Sequence, residues 1–340
     1  MSQSKLGAVQ LRRLYTGEVW QQARRGIDQL PAEASPIPAA ESSAQEWLEV
    51  RVLLGLLEFR NVYTRYPLGI AAVHPEPTGV TLRVESEQRA AEILFNLLPA
   101  SGSGGEVWGV PGLRIARRFA TRIELRVLGQ PARLWLTGLP STVWRSAENR
   151  MLEMWLDGVH LYWRSSPRAW TDAERAHQAL WDDEDDHFVR VQRRGAWLGS
   201  GLLRRLGLLH TVANTFFVDG YRGSAFDTAR LILRSSHVPD QGPGPHHIIS
   251  ALLDPVIGLP LHLTRFRGDT DENYGSDQYF VLVDPQKTAL LEVRTTRERP
   301  PFRLPPELWE RILRRLPDRE LFAPLTPSTL AGMCGLVAKE

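Results

Sequence analysis

Apolar and polar positions open the chain at helical spacing. Over residues 6 to 30, Leu6, Val9, Leu14 and Ile27 supply an apolar side. Arg12, Arg13, Arg24 and Arg25 fall on exposed arcs, and Gly17 is placed to interrupt the helix this predicts. Residues 31 to 44, PAEASPIPAAESSA, have the composition of a linker. A second helix, EWLEVRVLLGLLEF, begins at Glu46. The period then drops to two. GIAAV (69 to 73) and GVTLRVES (79 to 86) are predicted strands about a turn containing HPEPTG, with Val80, Leu82 and Val84 on one face. EQRAAEILFNLLP returns to helical spacing, and SGSGG (101 to 105) is a flexible insertion. This order predicts a small α+β module over roughly residues 46 to 136.

LRIARRFATRIELRVL contains the clearest strand, with Ile123, Leu125 and Val127 facing one way and Arg122, Glu124 and Arg126 the other. RLWLTGL (133 to 139) is its expected partner. SAENRMLEMWL is predicted helical and GVHLYWR a strand. TDAERAHQALW begins a helix with Thr171 and Glu174 at capping-box spacing. In the second half, AWLGSGLLRRLGLL is predicted helical, TFFV a strand, and SAFDTARLILRSS a helix capped by Ser224. HHIISALLDP is a short helix stopped near Pro255. PLHLTRF, DQYFVLVD and ALLEVRT are predicted to form an antiparallel meander, the last two joined by PQKT. No repeat of fixed period is visible, so a solenoid or propeller is not expected. The expected fold is α+β: two mixed lobes with small antiparallel sheets and a helical N-terminal extension. The expected divisions are 1 to 45, 46 to 165 and 166 to 340.

Composition narrows the class. The 340 residues are 43% hydrophobic and 24% charged, with a formal net charge of +2. That is ordinary globular composition, not a polyelectrolyte. Lys5, Lys287 and Lys339 are the only lysines, so arginine carries the basic charge. Cys334 is the single cysteine, so no intramolecular disulfide or cysteine metal site can form. The first twenty residues lack the apolar core of a signal peptide, and no stretch is long enough to span a membrane. A cytoplasmic protein without membrane association is expected.

Two segments concentrate positive charge. Residues 112 to 133 carry Arg114, Arg117, Arg118, Arg122, Arg126 and Arg133 against Glu124. Residues 189 to 205 carry Arg190, Arg193, Arg194, Arg204 and Arg205 with no acid. Brought together they would track phosphates, with Trp135, Trp144 and Trp197 near enough in sequence to stack on bases. The bland alternative is solvated faces, partly neutralised by DDEDDH (182 to 187), which lacks calcium-loop spacing and reads as an acidic loop.

Catalytic candidates are few. His237, His246, His247 and His262 surround GPGPHH, with Asp240 and Asp254 close by, the residue types of a zinc site or general base. HExxH is absent, and neighbouring histidines on a helix point about 100° apart. Asp284 and Glu292 followed by Arg294 have the spacing of a D…E-x-K nuclease site. Arginine replaces the lysine and cannot give up a proton near neutral pH, and Asp284 also suits a hairpin turn. Nucleophile-elbow, Walker and Rossmann patterns are missing. No cofactor and no metal are expected.

LPPELWERILRRLPDREL (304 to 321) is the most patterned stretch. Leu304, Pro305, Glu307, Leu308, Ile312, Leu313, Leu316 and Pro317 resemble the F-box, a resemblance covering under about twenty residues that implies recruitment of a ubiquitin ligase scaffold. The same residues also make a terminal helix docked on the second lobe: prolines at its start, acids then arginines along it, and one apolar stripe of Leu308, Trp309, Ile312, Leu313 and Leu316. Taken together, the sequence points to a non-enzymatic binding or regulatory protein, acting through a protein or nucleic-acid surface, in an oligomeric state left open. A metal-dependent hydrolase or nuclease using the second-lobe His, Asp and Glu residues is the alternative.

Overall fold

The computed structural model describes residues 3–57 apart from 32, 66–211 apart from 103 and 156, 218–237 apart from 226, 245–267 and 278–297. The stretch 304 to 321 lies outside the described residues, as do Asp240 and most of TFFV.

Gly17, at φ 71°, breaks the N-terminal helical run into α1 (Gln3–Thr16) and α2 (Trp20–Asp28). The following Pro/Ala/Ser segment is no free linker. Ile37 is buried, and the carbonyls of Pro36 and Pro38 accept bonds from the buried guanidinium groups of Arg12 and Arg204. A buried guanidinium has five donors to satisfy, and backbone carbonyls without a helix or sheet partner are free to meet them. Helix α3 (Ser43–Leu57) follows.

The first lobe is built on a five-stranded sheet. Its strands are β1 (Ile70–Glu76), β2 (Gly79–Val84), β5 (Leu113–Arg118), β6 (Arg122–Val127) and β7 (Arg133–Thr137), in the order β1-β2-β7-β6-β5. Helix α4 (Glu87–Leu97) crosses from β2, and α5 (Ser141–Glu153) packs against it. A small sheet, β4-β3-β8, is made by β3 (Ala100–Ser101), β4 (Val107–Trp108) and β8 (His160–Leu161). The strand expected over GVHLYWR is therefore only two residues long. Tyr162 onward turns into the short α6 (Tyr162–Ser165), with Tyr162 Oη bonded to Ser101 Oγ at 2.7 Å. Helices α7 (Asp172–Asp182), α8 (His187–Arg194) and α9 (Ala196–Leu203) lead to the second lobe.

The second sheet runs β11-β12-β13-β10-β9, from β9 (Val218–Ala225), β10 (Thr228–His237), β11 (His262–Arg267), β12 (Gln278–Val283) and β13 (Ala289–Arg297). Helix α10 (Pro245–Leu252) crosses from β10. The meander over β11, β12 and β13 is present and antiparallel throughout. SAFDTARLILRSS, expected as a helix, instead forms the end of β9 and most of β10. β10 is held between antiparallel β9 and parallel β13. A short apolar run such as ARLIL has no period that separates a buried strand from a helix, and pairing on both edges decides it.

The two sheets share one topology. Each is a hairpin, a crossover helix, then a three-stranded meander whose last strand lies parallel to the second. The registers match in detail. Ile123↔Leu136 and Leu125↔Leu134 in the first correspond to Phe280↔Val293 and Leu282↔Leu291 in the second. Bulges fall at the same place, between Ile115 and Arg117 and between Leu263 and Arg265. The tight turns also match: Gln130 N donates to Val127 O, and Lys287 N to Asp284 O. Each unit is preceded by a helix that includes Trp-Leu, at Trp47-Leu48 and Trp197-Leu198. These helices, α3 and α9, pack on each other reciprocally. Ser200 Oγ donates to Glu49 at 2.6 Å, while Gly199 lies so close to Val50 that a Cβ there would meet it at 2.3 Å. Such exchanged contacts are those of a twofold interface. A single apolar core, from Leu14 to Val293, runs through both lobes. Among the described residues no helix is long and apolar enough to cross a membrane.

Candidate nucleic-acid interface

The alternation in β6 sends Ile123, Leu125 and Val127 into the core and puts Arg122, Glu124 and Arg126 on the other face of the first sheet. Register brings their partners to that face. Glu124 lies opposite Trp135, Arg122 opposite Thr137 and Arg126 opposite Arg133. Thr81 and Arg83 of β2 continue the face beside Trp135 and Thr137, Arg117 adds to it from β5, and His74 and Glu76 close it at β1. Five arginines thus share one surface with two carboxylates.

Aromatic rings sit among them. The Arg122 guanidinium lies 4.5 Å from the Trp135 ring centroid and 4.9 Å from that of Phe119. The two rings are 5.7 Å apart, at 46° to each other. Glu124 is fully buried beneath the arginines. It accepts from Arg126 Nε at 2.5 Å and faces Arg117 Nε at 3.7 Å, where its Oε2 has no hydrogen bond. Arg126 stands directly across from both Arg133 and Arg114, arrangements that cost stability in a sheet. The second copy indicates what the fold itself requires here. The positions matching Arg122, Glu124, Arg126 and Arg133 are Tyr279, Val281, Val283 and Leu290.

Not every sequence candidate reaches this face as a free cation. Arg114 is buried and bonded to both carboxylate oxygens of Glu174 at 2.8 Å, and to the carbonyls of Ser166 and Ala169. Burial pushes the Glu174 carboxyl up, yet the Arg114 guanidinium and the amides of Gly112 and Thr171 hold it below the ordinary carboxylate range. Arg118 is bidentate to Glu148, with both bonds at 2.9 Å. Arg190, Arg193 and Arg194 lie on α8, which packs on β9 and β10 and not on the first sheet. Arg190 bonds the carbonyls of Glu184 and Asp185, Arg193 pairs with Asp182, and Arg194 bonds Asp227 O. The acidic loop therefore holds two of the three α8 arginines. Arg204 and Arg205 are buried. The face also contains Arg133 of the first basic segment, whose guanidinium bonds Thr78, and one residue that was not singled out, Arg83. The signal for Arg83 was the same period-two alternation that exposed Arg122.

Of the second-lobe candidates, Asp284, Glu292 and Asp254 have partners within the fold. Asp284 caps its hairpin, accepting from Gln286 N, Thr288 Oγ1 and Ala289 N. Glu292 is held by Arg230 and Arg294. Asp254 accepts from the amides of Val256 and Ile257. His246 and His247 follow each other on α10, and their side chains lie outside what is described. Among the described residues no three His, Cys, Asp or Glu side chains are grouped to hold a metal ion. Compared with protein-family models, with curated proteins and with solved structures, the chain matches none.

Proposed function

We propose that this chain is a non-catalytic, cytoplasmic binding protein that holds a single-stranded nucleic acid against the open face of its first sheet. The observation that carries the proposal is the face itself: Arg83, Arg117, Arg122, Arg126 and Arg133 around Trp135 and Phe119. Phosphates neutralise the arginines, and bases stack on the rings once Arg122 shifts to a phosphate. The second copy supports it at three of the five positions: Arg122, Arg126 and Arg133 match Tyr279, Val283 and Leu290, while Arg83 and Arg117 match Arg234 and Arg265. The single cysteine fits a reducing compartment.

The test is fluorescence anisotropy of a labelled oligothymidylate with the full chain. Affinity should fall steeply between about 50 and 200 mM salt. Arg83→Glu with Arg122→Glu should weaken binding at least about tenfold, and Trp135→Ala should weaken it by about 1–3 kcal/mol. Arg193→Glu with Arg194→Glu, on α8, should change it little. Absence of binding at low salt, or equal loss from both pairs of changes, overturns the proposal and leaves the face to a protein partner.

A further inference from the structure

The buried arginines follow one rule with one exception. Five guanidinium groups are buried among the described residues, those of Arg12, Arg89, Arg114, Arg204 and Arg205. Four of them meet a carboxylate. Arg12 pairs with Glu18 at 2.7 Å, Arg89 with Glu92 at 3.1 Å, Arg114 with Glu174 at 2.8 Å and Arg204 with Glu49 at 2.6 Å. That is the expected pattern, because an ion taken out of water is costly unless an opposite charge meets it. Arg205, 8% exposed, meets no carboxylate among the described residues.

Its Nε donates to Ile257 O at 2.8 Å and its Nη1 to Gly201 O at 3.1 Å, while Nη2 donates no bond among the described residues. The neighbours do not supply the missing charge. Arg204 is a second cation, already balanced by Glu49. Tyr15 Oη donates to Ala251 O at 2.7 Å, and burial and Asp254 push its pKa up, so it stays neutral. The Asp254 carboxylate accepts from the amides of Val256 and Ile257. Burial pulls the Arg205 pKa down to about 10, which leaves the group charged at neutral pH. The architecture does not require an arginine here. With Trp47-Leu48 matched to Trp197-Leu198, the same position of the first copy is Gly55.

Arg205 lines a cavity of about 20 Å³ between α3, β10 and α10. Every other lining residue is Leu or Ile, among them Leu53, Leu57, Leu233, Ile248 and Leu252. The volume is about that needed by one water or one small ion. A water there would find a single polar side chain, whereas buried waters typically make about three hydrogen bonds. We infer that this cavity holds one small monovalent anion, of halide or formate size, as the counter-ion of Arg205. The volume is too small for a larger organic acid. A divalent anion would bring a second charge into apolar walls, with Arg204 already committed to Glu49.

The test is thermal melting of the full chain in sodium chloride and in sodium gluconate, whose anion is too large for the cavity, at equal ionic strength. Chloride well above its Kd should raise the melting temperature by about 3 °C or more. Sodium formate distinguishes the sources of the anion: protection by formate as well admits a carboxylate, and protection by chloride alone restricts the site to halides. Arg205→Met, which removes the charge and keeps an apolar chain, should lose the dependence on the anion. If that variant does not fold, crystals of the parent grown in sodium bromide decide the matter. An anomalous-scattering peak is expected within hydrogen-bond reach of Arg205 Nη2. Equal melting in chloride and gluconate, the same chloride dependence in Arg205→Met, or no bromide at Arg205 overturns the inference. None of these outcomes bears on the nucleic-acid face, which uses other residues.

Discussion

Arg114 and Glu174 show how much one buried pair settles. Both are almost wholly inaccessible, and together they tie β5 to the start of α7. Glu174 also completes the capping box with Thr171, accepting from its backbone N at 3.1 Å. Removing its charge leaves a buried guanidinium with only carbonyls for company. Glu174→Gln should therefore cost about 3–5 kcal/mol in urea unfolding. The pH dependence has a definite sign. Glu174 titrates below its unfolded value, as does Glu18, whose burial is outweighed by His74 and Arg12. Such carboxylates stabilise the fold fully above the unfolded value of about 4.3, and that contribution is lost as pH falls through their lower folded values. The melting temperature should drop steeply below about pH 4, and less steeply for Glu174→Gln; equal slopes would remove Glu174 from the account. The capping box was legible because its partners are three residues apart. The ion pair was not, because Arg114 and Glu174 are separated by 60 positions and nothing local distinguishes Arg114 from Arg117. The same limit applies to Arg118 and Glu148, 30 positions apart. Charge counts along the chain found the basic region, and only the long-range partners separated its buried Arg114 from the more exposed arginines around Glu124.

At the level of elements, alternation was legible wherever one face met solvent. β2, β6 and the final meander follow their sequence pattern. β10 did not announce itself, because Ala229, Leu231, Ile232 and Leu233 are all buried and a strand buried on both faces loses its period. The turn between β12 and β13 was legible for a different reason: Asp284 is a residue type that bonds its own backbone. It accepts three bonds there and is 4% exposed. Asp284→Ala should destabilise the protein by about 1–3 kcal/mol, as expected for stranding buried donors. Asp284→Asn, which keeps an acceptor, should recover part of that loss in thermal melts. If both variants melt like the parent, the carboxylate is free for other work and the hydrolase alternative regains a residue.

On the scale of the whole molecule, the matching sheets explain why no repeat was visible. The copies keep topology, bulges and turn geometry but have different insertions, so Ile123 matches Phe280 while Ile115 matches Leu263 under a different offset. A drifting offset erases any fixed period. The copies meet at Glu49, which lies between Arg204 at 2.6 Å and Ser200, all buried. Glu49→Gln should cost about 3–5 kcal/mol. Because one core spans both copies, far- and near-ultraviolet circular dichroism should still report a single transition; two separated transitions would make the lobes independent domains. The duplication also bears on the patterned stretch at 304 to 321. Leu139-Pro140 followed by Val143, Trp144, Ala147 and Met151 is the packed side of α5. Leu304-Pro305 followed by Leu308, Trp309, Ile312 and Leu316 repeats that spacing. The recurrence predicts that these residues serve the second copy as α5 serves the first. Trp309→Ala should then lower the melting temperature about as much as Trp144→Ala, each costing about 3–5 kcal/mol. Leu313, whose place in the spacing corresponds to Glu148, should matter far less despite belonging to the F-box-like pattern. If Leu313→Ala proves costly and Trp309→Ala neutral, the match is accidental. If neither lowers stability while Leu313→Ala abolishes capture of a ubiquitin ligase scaffold, the stripe is an interface.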